Sequence, residues 1–275
     1  MARKNLPRVL LRLLSSLHGS SFVPDRLSIA LEKVIAVFRR TGIRYGIAGQ
    51  GILFAQDNHR RVFFSNRQRG FSLYRGGILA REKFIFKSYC LQNIAFGIDD
   101  VVFDCGANSG DLFLKLSKMI RAENYFAFEP NPDDFRVLGM NLNGKANLFD
   151  LALGNVNSEL SFYTATSRGD SSLVEPGKWD EKISVSVIRL DTFIADRGIE
   201  SIKLLKIEAE GFEPEILEGL GGMLHKCEYV AVDGGYERGR DREQTFTTCT
   251  NYLISNGFEI IDVFFPWKRA LYKRK

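Results

Sequence analysis

The chain has 275 residues, of which 45% are hydrophobic and 26% charged, values typical of a folded globular protein and not of a disordered one. No apolar run reaches the roughly 20 residues that span a bilayer. The four cysteines are scattered and form no Cys-x-x-Cys pair, which excludes a zinc ribbon and a dithiol redox site built from neighbours. Reduced thiols in a cytoplasmic protein fit this pattern better than a disulfide scaffold.

The net charge of +5 is unevenly distributed along the chain. Residues 1–95 contain 17 Lys and Arg against four Asp and Glu, a net charge of +13, whereas residues 96–275 carry a net charge of −8. We therefore expect a basic N-terminal extension over 1–95 and a separate chemical domain over 96–275. Either the extension meets an anionic acceptor or partner, or the two parts attract each other across an internal interface.

The first third of the chain contains helical patterns and no catalytic signature. Apolar residues at helical spacing predict an amphipathic basic helix within residues 1–17. Such a helix lies on an anionic membrane surface, or it packs on the protein body or on a second subunit; the sequence leaves the oligomeric state open. The further predicted elements are a helix over 26–40, strands over 51–55 and 61–65, and a helix over 78–91.

From residue 99 onward, short apolar strands alternate with helices. The predicted strands cover 101–103, 125–128, 147–153, 203–207 and 229–232, with a hairpin over 160–164 and 183–188 and an antiparallel pair over 258–265 and 269–273. Helices are predicted after the first two strands, over 191–197, from Pro214 onward, and over 242–255. This alternation predicts an α/β fold with a doubly wound, mostly parallel sheet and an antiparallel C-terminal hairpin. Ligands of such sheets bind beyond the carboxyl ends of the strands.

A glycine loop and two acids mark these strand ends. The loop Asp104-x-Gly106-x-x-x-Gly110 lacks the three glycines of a dinucleotide fingerprint, and it lacks the Gly-Lys-Ser/Thr ending of a phosphate loop. Asp104 would repel a pyrophosphate but attract a cationic group. Glu129 ends the second strand, where an acid accepts hydrogen bonds from two ribose hydroxyls. A nucleoside with a positive, phosphate-free tail fits both acids, and S-adenosylmethionine is such a molecule.

At these positions the sequence resembles the FkbM-family methyltransferases. The resemblance covers about residues 95–235 and lies in five motifs: Phe103-Asp104-Cys105-Gly106-Ala107-Asn108-Ser109-Gly110, Phe128-Glu129-Pro130-Asn131-Pro132, Leu151-Ala152-Leu153-Gly154, Ser171-Ser172-Leu173 and Leu204-Leu205-Lys206-Ile207-Glu208-Ala209-Glu210-Gly211. It implies a Rossmann-like class I methyltransferase fold, S-adenosylmethionine as the methyl donor, and transfer to a hydroxyl oxygen. The cofactor-binding residues that it implies are Asp104, Gly106, Asn108, Gly110 and Glu129, with Asp150 at the position that meets the adenine amino group.

The acceptor side of the expected site contains three further acids. Glu208 and Glu210 follow the fourth strand, where alternation along a strand puts them on one face, and Asp233 ends the next strand. They are the predicted catalytic residues, with Glu208 as general base or as ligand of a divalent metal, although no motif supports a metal. Family members usually have Asp at position 208, and Glu-Leu or Glu-His where this chain has Asp233-Gly234.

Three functions are compatible with these residues. The first is an O-methyltransferase acting on a small molecule or glycan, such as a polysaccharide sugar. The second is an RNA methyltransferase that binds phosphates through eight arginines: Arg39, Arg40, Arg44, Arg60, Arg61, Arg67, Arg69 and Arg75. The third, a binding module with a relict pocket, is disfavoured by the intact Asp104 and Glu129. The chain lacks a Pro-Cys pair and an Asn/Asp-Pro-Pro-aromatic turn, so nucleobase methylation is not supported.

Overall fold

The computed structural model describes residues 24–39, 41–165 and 171–275, and it divides into two compact units between Arg81 and Glu82. The helix predicted within residues 1–17 lies outside the described residues. The sequence placed the division at residues 95 and 96. Residues 82–95 belong to the second unit because Ile85, Tyr89 and Leu91 are buried in its core.

The first unit combines helices with a small antiparallel sheet. Its elements are α1 (Asp25–Arg39), β1 (Arg44–Gly49), β2 (Ile52–Gln56), β3 (Arg61–Phe64), α2 (Arg67–Tyr74) and the start of α3 (Ile78–Ser88). The sheet has the order β1-β2-β3. The first helix and the two predicted strands are confirmed. Strand β1 was not predicted, because its side chains are mostly exposed and it contains Gly46 and Gly49, which are poor strand formers.

Two of the arginines considered for phosphate binding form ion pairs inside this unit. Arg67 Nη1 lies 2.9 Å from Asp25 Oδ1, and Arg75 Nη2 lies 2.6 Å from Glu32 Oε1. The Glu32 side chain is buried, so its charge is compensated by this contact. Both arginines therefore have a structural role in joining α1 to α2 and the residue that follows it.

The second unit contains the remaining elements. Its helices are α4 (Asp111–Leu116), α5 (Pro132–Leu142), α6 (Leu190–Asp196), α7 (Glu213–Leu220) and α8 (Phe246–Ser255). Its strands are β4 (Val102–Cys105), β5 (Tyr125–Phe128), β6 (Asn147–Phe149), β7 (Ala152–Gly154), β8 (Ser158–Thr164), β9 (Glu181–Arg189), β10 (Ile202–Ile207), β11 (Cys227–Asp233), β12 (Tyr236–Arg238), β13 (Glu243–Gln244), β14 (Phe258–Phe264) and β15 (Arg269–Arg274).

Seven strands form the central sheet, in the order β14-β15-β11-β10-β4-β5-β6. Every neighbouring pair from β11 to β6 is parallel, and β15 runs antiparallel to both β11 and β14. The predicted fold is confirmed: a doubly wound, Rossmann-like class I methyltransferase sheet with an antiparallel C-terminal hairpin. The carboxyl ends of β4, β5, β10 and β11 consequently meet at one edge.

Both faces of this sheet are covered, which explains why its strands are apolar throughout. Val102 and Leu204 pack in a core shared with α3, α4 and α5, whereas the next residues along, Phe103 and Leu205, pack in a core shared with α6, α7 and α8. The two-residue period of a strand sends neighbouring side chains to opposite cores.

Two predicted elements differ from the structure. The strand predicted over 147–153 is two strands: β6 joins the central sheet, and β7 pairs with β9 in a separate three-stranded sheet. Both pieces are apolar, so hydrophobic pattern alone does not show the change of partner at Asp150. The helix predicted over 242–255 begins only at Phe246, because residues 243–244 pair with β12 in a short hairpin.

Candidate active site

The glycine loop after β4 packs closely against neighbouring parts of the protein at both of its glycines. Gly106 has a φ of +71°, and a Cβ atom there would lie 1.9 Å from the Glu208 carbonyl oxygen. Gly110 has a φ of +84°, and a Cβ there would lie 2.6 Å from the Leu142 side chain. The amides of Gly106 and Ala107 both donate to the Phe128 carbonyl oxygen at 3.0 Å. Only glycine fits positions 106 and 110, and the loop is fixed to the end of β5.

Glu129 is held in place by the backbone of two loops. Its Oε2 accepts from the Asn108 amide at 2.8 Å, and its Oε1 accepts from the Asn131 amide at 2.9 Å. Burial, followed by the nearby Asp134 carboxylate, raises the pKa of Glu129 to about 8. Each carboxylate oxygen can accept a second hydrogen bond, so an oriented acceptor lies beside the glycine loop. This arrangement fits a ribose diol bound beside the glycine loop.

Asp104 is paired inside the protein and is almost fully buried. The Tyr125 hydroxyl donates to its Oδ2, and Lys206 Nζ lies 2.9 Å from its Oδ1. An ammonium group of the protein itself thus occupies the position at which the sequence argument expected a cationic part of the ligand. Asp104 therefore has a structural role at the start of the glycine loop. Direct contact between Asp104 and a cofactor stays a prediction.

Lys206 connects the glycine loop to Glu208. Its Nζ donates to the Gly106 carbonyl oxygen at 2.8 Å and lies 3.1 Å from Glu208 Oε2. Burial alone would lower the pKa of Lys206, but the carboxylates of Asp104 and Glu208 raise it above its ordinary value. The lysine is therefore a permanent cation between two acids. A lysine inside the apolar strand Ile202–Ile207 is the sequence signal that could have identified it.

Arg269 on β15 extends this network of ion pairs. Its guanidinium group lies 2.8 Å from Glu208 Oε1 and 2.6 Å from Asp233 Oδ2, and it donates to Ser88 Oγ at 2.8 Å. The group also stacks between the rings of Tyr89 and Trp267. These contacts form one network of five charged side chains: Asp104, Lys206, Glu208, Arg269 and Asp233. Three acids alternate with two basic residues, so this ion-pair network has one excess negative charge.

Asp233 keeps a raised pKa despite this arginine. Burial raises the pKa of Asp233, Arg269 lowers it, and Glu208 raises it, with a net shift upward. The structure thus brings two of the three predicted catalytic acids, Glu208 and Asp233, onto one guanidinium group. Sequence reasoning missed Arg269, which lies 36 residues after Asp233 in the chain.

Glu210 lies in a turn and not on a strand. Strand β10 ends at Ile207 and Glu210 has a φ of +50°, so the alternation rule that put Glu208 and Glu210 on one face does not apply. The turn is fixed by Glu213, whose Oε1 accepts from the Ala209 amide at 2.8 Å and from the Gly211 amide at 3.1 Å. Burial raises the pKa of Glu213 to about 7.

Asp150 follows β6 and is exposed. Strand β6 is the neighbour of β5, and Glu129 follows the end of β5. Asp150 therefore lies at the same edge of the sheet as the glycine loop. Its assignment to the adenine group stays a prediction.

No group of three or more His, Cys, Asp or Glu in the described part of the chain is arranged to hold a metal ion. Among residues 24–39, 41–165 and 171–275, no helix combines the length and apolar character that crossing a bilayer requires. All four cysteines are free and buried.

The family comparison matches this architecture. The methyltransferase FkbM domain matches residues 104–262, which is more than half of the chain and includes the glycine loop, Glu129, Glu208 and Asp233. The fold and the site define a class I methyltransferase scaffold. The chain belongs to the FkbM methyltransferase family.

Individual relatives match over parts of their length. The 2-O-methyltransferase NoeI of Sinorhizobium fredii is 25% identical over 153 residues, covering 49% of this chain and 63% of the relative. The hexuronic acid methyltransferase AglP of Haloferax volcanii is 30% identical over 145 residues, covering 49% of this chain and 56% of the relative. The chain thus spans less than two thirds of either relative. Among solved structures, M. jannaschii TYW2 in complex with AdoMet aligns with 13% identity and a TM-score of 0.39, covering 84% of this chain and 90% of that chain.

Proposed function

We propose that this protein binds S-adenosylmethionine and transfers its methyl group to a hydroxyl oxygen of a small molecule or glycan. The observation that carries the proposal is the glycine loop beside the fixed carboxylate of Glu129, which sits within the span matched by the FkbM methyltransferase domain. The printed names of NoeI and AglP, a 2-O-methyltransferase and a hexuronic acid methyltransferase, support a sugar hydroxyl as the acceptor.

The cofactor side is assigned to the loop and its supports. Glu129 accepts hydrogen bonds from the ribose hydroxyls, and the backbone at Gly106, Asn108 and Gly110 lies along the cofactor. Asp150 is assigned to the adenine amino group. When bound, S-adenosylmethionine supplies an electrophilic methyl group on a positively charged sulfur. The excess negative charge of the ion-pair network that runs from Asp104 to Asp233 attracts such a cation.

The acceptor side is assigned to the predicted catalytic acids Glu208, Glu210 and Asp233. Methyl transfer to an alcohol requires the acceptor oxygen to be held in line and its proton to be removed. Arg269 fixes Glu208 and Asp233 in one orientation, and Glu213 fixes the turn that contains Glu210. These acids therefore form a rigid, negatively charged wall beside the cofactor loop.

The cellular location proposed from the sequence is the cytoplasm. Four free, buried cysteines support it. Contact between residues 1–17 and an anionic membrane surface is the alternative to packing of this segment on protein. Fractionation of cells at low and high salt tests it, since electrostatic membrane contact weakens as salt rises.

The function is tested by a transfer assay with tritium-labelled S-adenosylmethionine. The acceptor panel contains methyl glycosides of neutral hexoses, methyl glycosides of hexuronic acids, and a mixed RNA pool. We expect label in the sugar fraction as a methyl ether. Labelling of RNA alone would favour the nucleic-acid alternative, and absence of label in every fraction together with no cofactor binding would contradict the proposal.

A further inference from the structure

A cavity of about 220 Å³ lies between two segments that are far apart in the sequence. One wall is the segment over 176–178, and the other is the turn after β12. The polar side chains that line the cavity are Lys178, Glu237, Arg240 and Arg242. This lining is suited to a ligand with many oxygen atoms, because it combines one carboxyl group with three cationic side chains, of which Arg240 also pairs with Glu175.

Both walls are attached to residues 208–211, the loop that follows β10. Ser172 Oγ donates to the Glu210 carbonyl oxygen at 2.9 Å, which fixes the chain that leads into the first wall. Arg238 Nη1 donates to the Gly211 carbonyl oxygen at 2.5 Å, and a Cβ on Gly211 would lie 2.5 Å from Arg238 Cα. Backbone contact this close places β12 directly against the loop. The cavity therefore adjoins the end of the site assigned to the acceptor.

Glu237 is the acid of this cavity and lies next to the predicted catalytic acids. A Cβ on Gly235 would lie 3.2 Å from Glu237 Oε1 and 3.3 Å from Asp233 Oδ1, so the two carboxyl groups flank the same glycine. The carboxyl of Glu237 also hydrogen-bonds to that of Glu210. Glu237 therefore lies between the cavity and the predicted catalytic acids Glu210 and Asp233.

The other acids are held differently. Glu208 is paired with both Lys206 and Arg269, and Asp233 is paired with Arg269. Cationic partners stabilise a carboxylate without its proton and make it a weaker proton acceptor. Among the ion pairs of the described residues, none involves Glu237. Its surroundings are acidic, and acidic neighbours strengthen the affinity of a carboxylate for a proton.

We propose that this cavity is the acceptor site and that Glu237 is the catalytic residue that takes the hydroxyl proton; this inference rests on the proposed methyl-transfer function. The acceptor oxygen forms a bond to the methyl carbon while the carbon–sulfur bond breaks. The electron pair of that bond stays on sulfur, which becomes the neutral thioether of S-adenosylhomocysteine. The hydroxyl proton moves to the Glu237 carboxylate, so charge and atoms balance.

The surroundings of Glu237 set the pH range of this step. Asp233 on β11, Glu208 in the loop after β10 and Glu213 on α7 face it with negative charge, Glu210 in the same loop shares a hydrogen bond with it, and Lys178, Arg240 and Arg242 line the cavity with positive charge. Burial first, and then Asp233, Glu208 and Glu213, raise the pKa of Glu237, and the hydrogen bond with Glu210 lowers it, so that the net pKa is about 8. A base must be ionised to act, so turnover should rise with pH and level off above about 8.

The test compares four full-length proteins in single-turnover methyl transfer to methyl glucoside and methyl glucuronoside, at saturating labelled cofactor from pH 6 to 9.5. Glu237→Gln removes the base. Gly177→Leu fills the cavity from a position whose Cβ would meet only ordinary contacts, the nearest being the Arg240 carbonyl oxygen at 3.7 Å. Glu243→Gln, an exposed acid on the paired strand β13, is the matched control.

For Glu237→Gln we expect the methyl-transfer rate to fall about 10²–10⁴-fold and the rise near pH 8 to disappear, with cofactor affinity unchanged. Gly177→Leu should raise the acceptor KM at least tenfold, again with cofactor affinity unchanged. Wild-type turnover and pH profile in a folded Glu237→Gln protein, or an unchanged acceptor KM in Gly177→Leu, would overturn the inference alone. Wild-type protein that binds the cofactor but methylates neither glycoside would overturn the inference alone, whereas wild-type protein that also fails to bind the cofactor would overturn the proposed function and the inference with it.

Discussion

Glu208 shows how a single residue differs from its motif and still fits the site. An aspartate at this position has one methylene less, whereas the longer glutamate here reaches two cations, Lys206 on β10 and Arg269 on β15, two strands that β11 separates in the sheet. Its side chain is 19% exposed, so the charge is partly desolvated and depends on both partners. The same contacts that hold Glu208 in place weaken it as a base. In the mechanism proposed above, Glu208 orients the site and Glu237 takes the proton.

Glu208→Gln should separate these roles. The substitution keeps the shape but leaves Lys206 and Arg269 with one negative partner fewer, so we expect a loss of about 1–3 kcal/mol in the free energy of unfolding. Turnover should fall about 10²-fold through misplacement of the site, while the rise near pH 8 is retained. Single-turnover rates across pH beside a melting curve check this. Loss of the pH 8 rise with unchanged stability would instead make Glu208 the base.

The cofactor residues could be predicted from the sequence because they lie in local motifs. Gly106 and Gly110 follow a strand at fixed spacing, and Glu129 ends the next strand. Arg269 and Glu237 could not be predicted in this way, because their partners come from elements far away in the chain. Their significance depends on strand order, which places β15 beside β11 and β12 against the loop after β10.

At the scale of elements, the start of α7 is the most informative. Pro214 opens the helix as predicted, but the residue before it has the larger role. Glu213 is buried and accepts hydrogen bonds from the Ala209 and Gly211 amides and from Thr245 Oγ1 at 2.8 Å. It therefore joins the loop after β10 to the first turn of α8. A polar pattern does not reveal such a role, because an acid near a helix start is common for other reasons.

Glu213→Gln should change the pH dependence of stability. The folded-state pKa of about 7 lies above the ordinary value of 4.5, so the folded protein binds more protons than the unfolded chain between those two values. This carboxyl therefore destabilises the fold progressively as pH rises from about 4.5 through 7. Glutamine can still accept from the Ala209 and Gly211 amides and can donate to Thr245 Oγ1 where the carboxylate accepts from it, but it does not titrate. Relative to wild type, the Tm of the variant should rise by a few degrees between pH 5 and pH 8.

The matched control is Glu218→Gln, on the exposed face of the same helix. Its Tm difference from wild type should be independent of pH. A constant difference for Glu213→Gln as well would contradict the titration of the buried carboxyl in this range.

For the whole molecule, the uneven charge remains the clearest feature. The basic first third and the acidic remainder correspond roughly to the two compact units, although the boundary lies at Arg81 and Glu82 and not at residue 95. Composition located the change in charge but not the boundary, because α3 spans it and its second half packs in the core of the second unit. Arg67 and Arg75 have structural partners, which leaves fewer cations for a ligand.

Charge reversal at Arg60 and Arg61 tests the role of the basic unit. If this unit shapes acceptor binding, Arg60→Glu with Arg61→Glu should raise the acceptor KM several-fold and leave cofactor affinity unchanged. The matched control is Lys145→Glu, an exposed cation of the second unit. A parallel loss of cofactor affinity in a folded double variant would show that the basic unit serves the cofactor site instead.

Calorimetric titration of S-adenosylmethionine into wild-type protein and Glu129→Ala tests the central claim most directly. The measurement belongs at about pH 9, where a carboxyl with a pKa of about 8 is ionised and able to accept both ribose hydroxyls. The control is Glu123→Ala, an exposed acid just before the other end of β5. We predict that Glu129→Ala raises Kd about 10- to 150-fold, equivalent to about 1.5–3 kcal/mol, while the control binds like wild type. Equal affinity in wild type and Glu129→Ala would contradict the cofactor site described above.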